Sequence, residues 1–123
     1  MSTTSTDRRQ GLNSSIAIKV PCIVATTANI TLSGTQTIDG VAVVADDRVL
    51  VKNQTTASEN GIYVVAAGTW TRATDWDGSN DVAQGTIVNV VQGSTNTGLW
   101  HVTTTGTITP GTTSVALAKI LVI

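Results

Sequence analysis

The feature that most constrains this chain is its load of β-branched side chains, set in short apolar runs between turn residues. Thr, Val and Ile number 23, 16 and 10 among 123 residues. Two heavy atoms on Cβ restrict χ1, which lowers helix propensity and suits the pleated surface of a sheet. No window holds a 3.6-residue apolar period. Between Thr37 and Thr74 the runs built on Val41 and Val43, on Val49 to Val51 and on Ile62 to Val65 are of strand length. Asp39-Gly40 and Asn60-Gly61 punctuate them and predict tight turns that fix register. Alternation places Arg48 and Lys52 on one solvated face of a strand and Val49 and Val51 on a core face. The expected fold is all-β: a single-domain antiparallel sandwich or barrel of short strands.

The chain in order supports that reading. Residues 1–15 are polar and predict a mobile arm ahead of a β-domain over 16–123, with Arg8, Arg9 and Leu12 as candidate assembly contacts. Ile16 to Ala25 reads as two short strands kinked at Pro21, which cannot donate to a ladder. Asn29 to Ser33 is a further strand candidate, and Asp46-Asp47 caps the next turn. Thr69 to Ala73 puts Trp70 and Arg72 on one face and predicts a hairpin with the strand around Tyr63. Thr86 to Val91, Leu99 to Thr105 and Ser114 to Val122 complete the set. Turn signals recur at the spacing of a sandwich or barrel, and no internal repeat is evident.

Charge excludes some functions. A formal net charge of −1 provides no field to attract a phosphate backbone, so no nucleic-acid partner is expected. The apolar run from Val115 to Ile123 is interrupted by Lys119 and is shorter than the about 20 residues a spanning helix needs, so no membrane partner is expected either. That same apolar strand would invite aggregation as a bare edge, and is expected to be covered by its own sheet or by another subunit. One cysteine, Cys22, excludes an intrachain disulfide and reads as a small buried hydrophobe.

Few residues carry chemistry. His101 is the only histidine, and no nucleophile-elbow motif accompanies it, so catalysis is not expected. Cys22 and His101 are too few for a zinc site. Asp75, Asp77, Asn80 and Asp81 bring oxygen atoms together, but their spacing does not match a calcium-binding EF-hand loop, and a tight turn bonding its own backbone is expected. No metal and no cofactor is implied. Trp70 and Trp100 are expected in the core. Trp76, between two aspartates, is expected to face a partner, so Asp75, Trp76, Asp77, Asn80 and Asp81 form the candidate contact for a partner or glycan.

Several ordered blocks resemble a known module. Ala25-Thr26-Thr27-Ala28-Asn29-Ile30-Thr31-Leu32-Ser33-Gly34 is followed by Gln36-Thr37-Ile38-Asp39-Gly40-Val41, then by Asp47 to Thr55, Glu59 to Val65 and Gly68 to Ala73. In this order they resemble a module of tailed-bacteriophage tail fibres and other virion structural proteins. The likeness continues through Gly85, the Gly93 to Asn96 turn, Trp100 and Ile108 to Thr112, and so spans roughly Val20 to Leu117. It implies a β-rich, non-enzymatic virion component, made in the host bacterial cytoplasm. Such components act in multiple copies, commonly as homotrimers, beside other tail or capsid proteins. It implies no catalytic residues. Tail fibre, adaptor and head decoration roles all fit, and recognition of host surface glycans through the Asp75 to Asp81 turn is the alternative.

Overall fold

The computed structural model describes residues 17–78 and 80–120. The proposed arm, with Arg8, Arg9 and Leu12, lies outside them. The described residues contain nine strands and no α-helix. These are β1 Val24–Ala25, β2 Thr37–Ile38, β3 Val41–Ala42, β4 Arg48–Val51, β5 Gly61–Val64, β6 Thr71–Arg72, β7 Ile87–Val90, β8 Gly98–Val102 and β9 Leu117–Lys119. They form a sheet β1-β4-β5-β6, a sheet β7-β8-β9 and a hairpin β2-β3. The expected all-β fold of short strands is therefore present. The sheets stay open, so of the two architectures read from the sequence it is the sandwich that fits.

One departure from purely antiparallel pairing organises the rest. β1 runs parallel to β4, and just ahead of it Ile18 and Cys22 make parallel bridges to Ile87 and Val90 of β7. Residues 17–26 thus form a seam between the two sheets. The Ile23 N–H donates to the Arg48 carbonyl at 2.8 Å, and its own carbonyl accepts from Gln92 at 2.9 Å. Pro21 lies between Lys19 and Cys22, which both donate to β7 carbonyls, a place where a missing N–H breaks no ladder bond.

The two sheets repeat one hydrogen-bonded design, which the sequence alone did not reveal. In the first unit, Val44 N donates to the Asp47 carboxylate at 2.9 Å, and Asp47 N donates to the Val44 carbonyl at 3.1 Å. In the second, Ala83 N donates to the Thr86 hydroxyl at 3.0 Å, and Thr86 N donates to the Ala83 carbonyl at 3.1 Å. The residue before each capping side chain has positive φ, 78° at Asp46 and 93° at Gly85. Its N–H bonds the far strand: Asp46 to Val65 at 2.9 Å, Gly85 to Val102 at 2.8 Å. The second strand of each hairpin opens on a glycine of positive φ, Gly61 and Gly98. Val49 opposite Tyr63 corresponds to Val88 opposite Trp100, and a cation lies opposite each aromatic, Arg72 and Lys119. The seam feeds both units alike. Ile23 and Thr26 donate to the carbonyls of Arg48 and Leu50, as Lys19 and Cys22 donate to those of Ile87 and Asn89.

Burial distinguishes the units. In the first, Val49, Val51, Tyr63 and Val65 pack into one core with Ile38, Val43 and Trp70, edged by Ile30, Leu32 and Val41. The other face, Leu50 and Ile62, joins a second core with Val88, Val90, Trp100 and Val102 of the second unit. The solvated strand face expected at Arg48 and Lys52 is therefore covered, with Leu50 between them fully buried. Loop residues Trp76, Val82, Ile108 and Val115 complete this core. The sequence of layers is hairpin cap, first unit, second unit. The second unit's remaining face, with Ile87, Asn89, Leu99 and His101, is only half-buried or exposed.

Candidate functional site

The Asp75 to Asp81 segment follows β6 through a 3₁₀ turn, Thr74–Trp76. Asp75 is engaged within the fold. Its carboxylate accepts two hydrogen bonds from the Arg48 guanidinium, at 3.1 and 3.0 Å, the forked geometry that suits this pair. Arg48 Nη2 also donates to the Val20 carbonyl at 2.9 Å, which ties the seam to the first unit. Asp81 turns back on its own loop, accepting from the backbone N–H of Asp77 at 3.1 Å and Gly78 at 2.9 Å. This is the self-bonded turn expected of Asp in such a loop. Asp77 and Asn80 are exposed.

Trp76 contradicts its expected role. It is 0% exposed and lies in the core shared by the two units. The cause is the close approach of the Gly61 backbone: a Cβ built there would fall 2.7 Å from Trp76 Nε1. The indole covers a glycine instead of presenting a face to solvent. Its Nε1 has no hydrogen-bond partner, a loss of about 1–3 kcal/mol that burial of the large ring offsets. Trp70, Trp100 and Tyr63 are buried as well, so no described aromatic offers a sugar-stacking surface.

Beneath the turn lies a cationic counterpart that the sequence reading missed. Lys19, on the seam, is buried. Desolvation holds its ammonium below the usual lysine pKa, opposed by the charges of Asp75 and Asp81. The acidic turn is thus balanced by Lys19 and Arg48 from below. Among the described residues no group of three His, Cys, Asp or Glu side chains could hold a metal ion. Only the bonding of the seam to both sheets could have placed Lys19 here, since it stands far from Asp75 in sequence. Cys22 is buried beside Arg48, and its thiol pKa is pushed up to about 12, first by desolvation and against the pull of the guanidinium. A thiol so placed is neutral and unreactive at pH 7.

Several other polar residues are engaged in a different task, holding backbone. The Asp39 carboxylate accepts from Thr95 N–H at 3.1 and 3.0 Å and from Asn96 N–H at 2.9 Å, and so pins the β2-β3 turn to the loop between β7 and β8. Asn96 then donates to the Thr26 carbonyl at 2.8 Å, and Trp100 Nε1 donates to the Asn96 carbonyl at 2.9 Å. Gln54 pairs with both backbone groups of Ile30, accepting at 2.9 Å and donating at 3.0 Å. Asn60 accepts from Gln54 N–H at 3.0 Å and donates to the Val115 carbonyl at 2.9 Å. Its dipeptide with Gly61 is therefore an anchored entry to β5, not the hairpin turn read from the sequence. Asp39-Gly40 is such a turn, with φ of 48° and 84°. Arg72 donates to the carbonyls of Asn60 and Ser58 at 3.1 and 2.9 Å, and Trp70 Nε1 to that of Gly34 at 2.8 Å.

His101 sits on the outer face of β8, opposite Ile87 and Ala118. No described helix is long and apolar enough to cross a membrane. Comparison of the chain with protein-family models, with curated proteins and with solved structures gave no match.

Proposed function

We propose that this chain is a structural subunit of a bacteriophage virion, assembling in multiple copies on the tail or head surface. One observation carries the reading. Asp39, Gln54, Asn60, Trp70 and Arg72, all within the blocks that resemble virion modules, direct their polar atoms at main-chain groups. They are shape-holding residues. A likeness built on them is a likeness of framework, as a building block requires, and many copies of a modest contact add avidity.

Immunogold labelling of intact particles tests the proposal. Label at the tail end would mark a fibre or adaptor subunit, and label spread over the head a decoration protein. Particles that carry no label would overturn the virion role.

A further inference from the structure

The Arg48 guanidinium joins three parts of the fold at one point. It projects from β4, donates to both Asp75 oxygens at 3.1 and 3.0 Å in the turn after β6, and donates to the Val20 carbonyl of the seam at 2.9 Å. The seam needs that support there. Lys19 and Cys22 donate to the carbonyls of Ile87 and Asn89, and Pro21 between them has no N–H to give. Lys19 adds a second cation. It is 3% exposed, attracted by Asp75 and Asp81 and repelled by Arg48. Two cations and two carboxylates therefore balance at this end of the seam, while the residues of β7 that it bonds, Ile87 and Asn89, carry no charge.

Such a balance is conditional. A buried ammonium is tolerated while its counter-charges stand beside it, and removing them leaves an uncompensated charge in a poorly solvated place. With Asp75 and Asp81 neutral, Lys19 would lie against the like charge of Arg48 with neither carboxylate charge to offset it. Because Lys19 is part of the seam, its ammonium reaches water by drawing the seam away from β7. The sheets need not open with it, since β4 pairs with β5 and β7 with β8 in their own ladders. We propose that Arg48, Asp75, Asp81 and Lys19 form an acid-released latch. At neutral pH it holds residues 17–22 against the two sheets, and neutralising its carboxylates frees them while both sheets stay folded. The inference concerns the isolated protein and goes beyond the virion reading, so each stands or falls without the other.

Cys22, the only cysteine, is fully buried on the seam and reports its release. The test labels the full chain with dithiodipyridine from about pH 7 to about pH 3, through the carboxylate range. Each rate is divided by that of the urea-unfolded chain at the same pH, which removes the thiol's own titration. The expected result is a normalised rate that rises at least tenfold in acid while tryptophan fluorescence keeps its folded value. Asp75→Asn should label at least tenfold faster than the parent at neutral pH. Lys19→Met, which removes the buried charge and keeps an apolar stem, should lose most of the acid response. That variant separates a latch from general weakening, because deleting one member makes the seam more resistant to acid. A parent rate that does not change with pH, or that rises only as the folded fluorescence is lost, would overturn the proposal. So would a folded Asp75→Asn chain that labels as slowly as the parent, or a Lys19→Met chain as sensitive to acid as the parent.

Discussion

Ile62 and Leu99 hold the same place in two copies of one hairpin, one residue past a glycine of positive φ, yet the first is fully buried and the second 36% exposed. The backbone design is shared and the packing is not. What the pair teaches is that hydrogen-bonded form and burial are set separately here. Caps, positive-φ residues and seam contacts fix the form of each unit, while position in the stack decides which of its faces are core.

The comparison is broken most sharply by truncating the two equivalents. Ile62→Ala should cost about 2–5 kcal/mol, a cavity between two sheets, and Leu99→Ala less than about 1 kcal/mol, read by chemical denaturation at a concentration where the chain is monomeric. Equal losses would mean that the outer face is as well packed as the inner one. The glycines sharpen the point. Gly61→Ala sets a Cβ 2.5 Å from an Arg72 nitrogen and 2.7 Å from Trp76 Nε1, whereas Gly98→Ala meets only the Lys119 side chain at 3.2 Å. Both suffer the strain of positive φ, about 1–2 kcal/mol, and only the first adds a clash of about 1–3 kcal/mol.

A third difference concerns the cap. Desolvation alone would raise the Asp39 pKa, but hydrogen bonds from Asn96 and Thr95 and the nearby Lys52 hold it below the usual carboxylate value. A lowered folded-state pKa contributes stability that is present above the unfolded value, about 3.9, and lost as pH falls through the folded one. Asp39→Asn should therefore flatten the acid limb of a stability-against-pH curve, with a modest loss near pH 7. The smallest effect is expected at Asp46, whose φ of 78° matches the 93° of Gly85 in the other unit. Asp46→Gly should stabilise by up to about 1 kcal/mol through relieved strain.

The class and most strands were legible because they depend on local chemistry, whereas the strand expected over Asn29 to Ser33 is not formed and leaves only a bridge from Ser33 to Thr69. β-branched runs, Pro21 and the Asp39-Gly40 turn act over a few residues, and Trp70 with Arg72 fell on one face as alternation requires. The duplication was hidden because its conserved content is conformational. Asp46 and Gly85 share a φ, and Asp47 and Thr86 share a cap, through different residues. Only a sparse pattern of two alternate valines, then glycine, an aromatic two residues on and a valine two further, recurs in Val49 to Val65 and Val88 to Val102. Trp76 was misplaced for a related reason. Flanking aspartates suggest solvent, but Asp75 pairs with Arg48 and leaves the indole to cover Gly61, contacts that no local window contains.

Native-state hydrogen exchange at low protein concentration tests the central claim most directly, that one design is packed on both faces in the first unit and on a single face in the second. The account predicts that amides of β4 and β5 exchange only through global unfolding, while those pairing β8 with the edge strand β9 exchange through local opening at lower free energy. Uniform protection across both units, or faster exchange from β4 and β5, would contradict it.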